Sequence, residues 1–282
     1  MRSTDISPLS VLLSRVDAVA DGSAEPDSIA TGFPSVDKLL GGGFRRGDLI
    51  VLGGDVSSGK SALSLAFAIR AALAGRRVGF FTGEMSIDRV LERIIAIEGR
   101  VLIDDLRRGT LDDIARANAG AVAVRLRDTL PLIERLPGNG ISGLAEMLDE
   151  VPMGDLLVVD SLSAFGTGAR PLDEELAEAV SRLKTTAVER RKAILLTAPL
   201  PNATPRIDRR PVLDDFGALG AVKQHADVVL GLFREDMYES SRDIAGATEL
   251  LVRKNRNGAV GYADLYFYAQ WMRFEDMLDP DK

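Results

Sequence analysis

The sequence has no cysteine and a single histidine, and aromatic residues make up only 5% of its 282 positions. Without cysteine there is no disulfide, no thiol nucleophile and no thiolate zinc site, and one histidine leaves no histidine-ligated metal centre. No apolar run approaches the roughly 20 residues that span a bilayer. The N-terminus also lacks the apolar core and cleavage site of a secretory signal, so the cytoplasm is the expected compartment, with no membrane partner. An excess of positive charge is missing as well. Thirty-five Lys and Arg face 42 Asp and Glu, a net charge of −7, so any contact with nucleic acid must come from a local patch. What remains is 46% hydrophobic and 27% charged, an ordinary globular composition with length for one large α/β domain or two small ones.

Residues 1–30 stand apart. Ser7-Pro8 is a helix start, and Leu9, Leu12, Leu13, Val16 and Val19 follow at helical spacing before the linker-like Asp21-Gly22-Ser23-Ala24-Glu25-Pro26. This helix either packs on its own domain or docks on another subunit; the pattern leaves both open. From about Thr31 to the end, short apolar runs alternate with longer amphipathic ones. That pattern predicts one α/β domain over 31–282, a mostly parallel sheet flanked by helices. Strands are expected at Leu49–Leu52, Val78–Thr82, Leu130–Ile133, Leu156–Asp160, Ile194–Thr197 and Val228–Phe233. Helices are expected at Ser61–Ala74, Ile87–Ile97, Leu111–Val124, Ile141–Glu150 and Glu174–Arg190. Near the end, Glu249–Arg253 and Tyr262–Tyr268 flank Asn257-Gly258, which reads as a tight two-residue β-hairpin.

Gly54-Asp55-Val56-Ser57-Ser58-Gly59-Lys60-Ser61 fits the phosphate-loop pattern G-x-x-x-x-G-K-[ST] at every fixed position. The glycines let backbone N–H groups turn in around phosphates, and the helix that follows adds its positive end. Lys60 supplies a point charge, and the Ser61 hydroxyl a ligand for Mg²⁺. An apolar run before the loop and a helical pattern after it place the motif correctly, so ATP and Mg²⁺ are the expected ligands. The second metal-side residue should be a carboxylate ending a buried strand. Asp160, after Leu156-Leu157-Val158-Val159, is the candidate; a plain turn cap is the alternative. Glu84 closes the run Val78-Gly79-Phe80-Phe81-Thr82-Gly83-Glu84 and could activate the attacking water, or it could instead partner the N-terminus of the helix that starts near Met85-Ser86.

Several stretches, in order, resemble the C-terminal motor domain of DnaB-type replicative helicases, a RecA-like hexameric family. They are Thr31-Gly32-Phe33 with Val36-Asp37-Lys38-Leu39, Thr82-Gly83-Glu84-Met85-Ser86, Glu98-Gly99-Arg100-Val101 and Leu106-Arg107-Arg108-Gly109. Gln224-His225-Ala226-Asp227-Val228, Lys254-Asn255-Arg256-Asn257-Gly258 and Arg273-Phe274-Glu275 complete the likeness, which spans about residues 8–276. It implies a ring, a hexamer, that hydrolyses ATP at subunit interfaces and binds single-stranded DNA in its channel, with a replication or repair protein as a further partner. It puts Glu84 in the place of the catalytic glutamate, and makes Lys254 and Arg256 finger residues reaching a neighbour's γ-phosphate. It also implies no collar domain here, since about 30 residues cannot fold into one. Two departures bear on mechanism. Ala198-Pro199-Leu200 stands where the resemblance implies serine-glutamine-leucine, and proline has neither the polar side chain nor the backbone donor of a relay. Asp215-Phe216-Gly217-Ala218 stands where an Asp-Leu-Arg-Glu-like segment is implied.

The loops expected to line the channel carry Arg170 in one case and Arg206, Arg209 and Arg210 in the other, a sequence-indifferent, salt-sensitive way to hold a strand once a ring multiplies it. The alternative is a RecA/RadA/KaiC-like ATPase serving as a DNA- or protein-binding nucleotide switch without unwinding. Leu40-Gly41-Gly42-Gly43 and Pro199 favour it.

Overall fold

A computed structural model describes residues 7–150, 154–204, 206–238 and 244–277. The first six positions of the 1–30 segment and residue 205 of the second basic loop lie outside them. The first described element is helix α1 (Pro8–Ala20), where the Ser7 side chain accepts from the Leu9 amide at 3.3 Å. Two short strands, β1 (Ser28–Ile29) and β2 (Phe44–Arg45), pair antiparallel on either side of α2 (Pro34–Leu40). Then come β3 (Leu49–Gly54), α3 (Lys60–Leu73), β4 (Val78–Thr82), α4 (Ile87–Gly99), α5 (Ile103–Arg108) and α6 (Asp113–Leu126). They are followed by β5 (Leu132–Arg135), α7 (Gly140–Glu150), β6 (Leu156–Asp160), α8 (Leu172–Arg190) and β7 (Ala193–Ala198). The last part holds α9 (Ala221–His225), β8 (Val228–Arg234), β9 (Ala247–Asn255), β10 (Gly261–Tyr268) and β11 (Arg273–Asp276).

Among the described residues nine strands form one sheet in the order β11-β10-β9-β8-β3-β7-β6-β4-β5. From β8 to β5 the pairs are parallel, and β9, β10 and β11 add an antiparallel edge. The buried strands are apolar on both faces because helices cover both. Along β3, Ile50 and Leu52 face the core built with α3 and α4, while Leu49 and Val51 face the core built with α8. One result governs the site. β3 lies between β7 and β8, so the chain leaves it at the switch point where an open α/β sheet makes a crevice.

Two expectations are corrected. The strand expected at Leu130–Ile133 lies two residues later: Leu130 is exposed just after the turn that ends α6, and the ladder with β4 runs from Leu132 opposite Gly79 to Arg135 opposite Thr82. The hairpin is not a two-residue turn: β9 ends at Asn255 and β10 begins at Gly261. Asn255 builds the wider connection, accepting from the Asn257 amide and donating to the Ala259 carbonyl, each at 2.9 Å. As for α1, none of its residues is buried, and Leu9, Leu12, Leu13 and Val16 remain more than half exposed.

Candidate nucleotide site

Four neighbouring parallel strands, β4, β6, β7 and β3, bring their C-terminal ends to one edge of the sheet. There they open a cleft of about 620 Å³ lined by Lys60, Ser61, Glu84, Arg93, Asp160 and Pro199. The phosphate loop forms its floor. Gly59 sits at φ 102°, and a Cβ there would meet the Phe274 ring at 2.8 Å, so a larger residue is excluded by conformation and by space. Gly59 caps α3 without a side-chain acceptor, which leaves the first amides of that helix to an outside anion. Ser57 bends the loop at φ 64°, Val56 is exposed, and Ser58 is buried with its hydroxyl unpartnered among the described residues.

Lys60 Nζ donates to the carbonyls of Gly54 at 3.0 Å and Asp55 at 2.9 Å. Burial pulls its pKa below the usual lysine value, against the pull of Asp160, Asp55 and Glu84. Asp160 ends β6 and is almost fully buried. Its Oδ1 accepts from Ser61 at 3.1 Å and Thr197 at 2.5 Å, while its Oδ2 has no partner among the described residues. Burial pushes its carboxyl pKa up. These bonds decide against the turn-cap role, for the helical turn after Asp160 takes no side-chain cap. Glu84 is not a helix cap either: α4 is capped by Ser86, which accepts from the Arg89 amide, while Ser161 Oγ donates to Glu84 Oε1 at 2.5 Å. The pairing of Thr82 with Asp160 sets the two carboxylates on adjacent strand ends.

A buried carboxylate oxygen without a donor, beside a serine hydroxyl, fits a divalent cation. Among the described residues no group of three or more Asp, Glu, His or Cys could hold a metal alone. That suits Mg²⁺, which takes one or two protein oxygens and completes its shell with water and phosphate.

Other groups in the cleft were not legible in the sequence. Arg93, on α4, carries a buried Nε near Asp160 and Glu84 that has no partner among the described residues. Thr197 and Ser161 fix the two carboxylates, and Phe267 and Met272 add an apolar rim from the antiparallel end. Only the helical placement of Arg93 nine residues after Glu84 could have signalled any of them.

Lys254 and Arg256 lie elsewhere. Asp227 accepts from the Leu49 amide at 2.8 Å, from Lys184 at 2.6 Å and from Arg256 at 3.1 Å, which fastens the hairpin to the start of β3. Lys254 and Arg256 both donate to the Gln224 carbonyl, so they share one face. The length of β3, about 17 Å at ~3.3 Å per residue, separates them from their own phosphate loop.

Arg206 is bidentate on buried Asp215, at 2.7 and 2.5 Å, and Arg210 on Glu249, at 2.6 and 2.5 Å. These carboxylates hold both guanidiniums against the fold. Arg170 is exposed but paired with Glu178. Arg209 is exposed and has no carboxylate partner among the described residues.

The family model described as the DnaB-like helicase C terminal domain matches residues 28–276. The chain belongs to that family. This DnaB-type domain is 28% identical over 258 residues to the replicative DNA helicase DnaC of Bacillus subtilis, covering 88% of this chain and 56% of that protein. It is 30% identical over 250 residues to the probable plasmid replicative DNA helicase of Chlamydia psittaci, covering 86% and 54%. The chain thus spans a little over half the length of these relatives. In fold it resembles a solved ATPase domain, with TM-score 0.86 at 19% identity over 97% of this chain and all of that one. A DnaB-like replicative helicase whose interactions with primase are described gives TM-score 0.83 at 19% identity, over 98% of this chain and 68% of that one.

Proposed function

We propose that this DnaB-type domain is an ATP-dependent DNA helicase motor that hydrolyses ATP at the subunit interfaces of a homo-oligomeric ring, a hexamer, and holds single-stranded DNA in the channel. One observation carries the reading: Lys60, Ser61, Asp160 and Glu84 converge on one cleft, while Lys254 and Arg256 sit at the opposite sheet edge. Among the described residues the cations lining the cleft are Lys60 and Arg93, and a copy stacked edge to edge would bring two more to the transferred phosphate. The α3 amides and Lys60 would hold the phosphates, and Phe267 with Met272 would offer the base an apolar wall. Ser61 and Asp160 would hold Mg²⁺, which when bound draws negative charge from the phosphate oxygens. Glu84, oriented by Ser161, would take the proton of the attacking water. Arg93 and the neighbour's Lys254 and Arg256 would meet charge that develops in the transition state. The exposed apolar stripe of α1, as a linker segment within 1–30, would dock on the adjacent copy. Strand contact would fall on Arg209 and Arg170, while Arg206 and Arg210 support the loop.

The test is ATP hydrolysis with and without a 30-mer DNA strand, beside a forked duplex. We expect about threefold or greater stimulation at low salt, fading as salt rises, together with unwinding. Stimulated hydrolysis without unwinding would leave the nucleotide-switch alternative, and no hydrolysis would end both.

A further inference from the structure

Pro199 lines the cleft and follows β7 on the way to the basic loop, so no polar side chain at that position links the two. A different link lies one strand over. The Asp55 carboxylate accepts from its neighbour's amide, Val56 N, at 2.8 Å through Oδ1, and from the Tyr238 hydroxyl at 2.8 Å through Oδ2. The Tyr238 ring stacks on Phe233, 5.7 Å between centroids and 14° between planes. Two arginines of the basic loop lie over this pair, Arg209 above Tyr238 and Arg210 above Phe233, each 4.8 Å from the ring centre. Arg210 is fixed by Glu249. Arg209 has only the tyrosine face among the described residues, a contact of the cation–π kind. Asp55, Arg206, Arg209 and Tyr238 surround a recess of about 190 Å³ between the phosphate loop and the basic loop.

We propose that Tyr238 is a positioning residue that couples the phosphate loop to Arg209, so that the nucleotide bound in the cleft sets how the basic loop meets a polyanionic strand. This rests on the motor reading above. Asp55 is the node. Its backbone carbonyl accepts from Lys60, and its side chain holds Tyr238. Phosphate oxygens compete for the same ammonium protons that Asp55 and Gly54 accept, and they are the stronger acceptors. Filling the cleft therefore alters the bonding of the residue that anchors the tyrosine, and the tyrosine carries the arginine. Such a device couples two sites because each ligand changes contacts the other depends on. Burial and the bond to Asp55 push the Tyr238 hydroxyl pKa up to about 12, so it remains a donor across the working pH range. Loss of the hydroxyl alone should uncouple the sites without disturbing either one, because the ring, its stacking on Phe233 and its face toward Arg209 all remain in phenylalanine.

The experiment measures binding of a labelled 30-mer oligo(dT) to the whole chain without nucleotide, with ADP and with a non-hydrolysable ATP analogue. We expect the wild-type affinity to differ between nucleotide states by about fivefold or more. In Tyr238→Phe the spread should shrink below about twofold, while strand-free ATP hydrolysis and melting temperature stay at wild-type values. Asp55→Ala should shrink the spread as well, and the double variant should shrink it no further than Tyr238→Phe alone. A Tyr238→Phe protein with the wild-type spread overturns the inference and leaves the motor reading standing. Additive losses in the double variant, or a wild-type affinity indifferent to nucleotide, overturn it too. A wild-type protein that neither hydrolyses ATP nor binds the strand removes the motor reading itself, and the coupling with it.

Discussion

Asp160 is almost fully buried, yet among the described residues only one of its two oxygens has hydrogen-bond partners. Burial raises its pKa above the ordinary 3.8. The folded chain therefore binds that proton more readily than the unfolded chain, and stability from this group falls as pH rises beyond that value. At neutral pH the ionised carboxylate opposes folding. Asp160→Asn removes the charge and keeps an acceptor for Ser61 and Thr197. We expect its melting temperature to rise by about 2–4 °C, on the order of 1 kcal/mol, with a flatter decline of stability above pH 4. Hydrolysis should fall by about a hundredfold or more. A lower melting temperature would show that the fold already compensates the charge. The same residue marks what the sequence can disclose. A phosphate loop and a strand-ending aspartate are local patterns, so Lys60, Ser61 and Asp160 are legible. Arg93, Thr197 and Ser161 come from separate elements with no motif of their own, and only the sheet order brings them together.

At the scale of elements, periodicity placed the central strands and long helices within about two residues, since helices on both faces make apolar strands unmistakable. Short pieces escaped it. α2, α5, α9 and β11 run four to seven residues, too few for a period to register, and Asn257-Gly258 signalled a tighter hairpin than the side chain of Asn255 allows. The loop after β6 shows how a single residue can set an element. Glu175, in the first turn of α8, accepts from the Thr167 hydroxyl and from the amides of Thr167, Gly168, Ala169 and Arg170. Those bonds, the Thr167 hydroxyl first, lower its pKa from 4.5 to about 2. A depressed carboxylate contributes stability that is complete above its unfolded pKa and disappears as pH falls toward the folded one, here between about 4.5 and 2. Glu175→Gln should lose this acid limb. Amides 167–170 should exchange with solvent about tenfold faster at neutral pH, read by hydrogen–deuterium exchange. Unchanged exchange would mean that the turn preceding α8, not Glu175, holds the loop that carries Arg170.

The molecule as a whole places its two sets of charges at opposite ends of β3. Lys60, Asp160 and Glu84 stand at the C-terminal edge, and Lys254 and Arg256 stand at the N-terminal edge with Asp227 beneath them. That separation was not legible in the residues alone, because it depends on β9 pairing antiparallel beside β8. Burial pulls the Lys254 pKa down, with Arg256 adding to the effect, so a phosphate would relieve both desolvation and repulsion there. A head-to-tail contact repeated around a ring sets one edge of each copy against the other edge of the next. If that is how the site is completed, Glu84→Ala and Arg256→Ala should each abolish hydrolysis alone but complement when mixed. A working site then needs an intact Glu84 from one copy and an intact Arg256 from the next, so random equal mixing restores about a quarter of wild-type sites, whatever the ring size. Hydrolysis measured against mixing ratio should peak at equal amounts of the two variants. Activity that stays at the level of the separate variants, with exchange of subunits shown independently by mass spectrometry, would exclude the shared site.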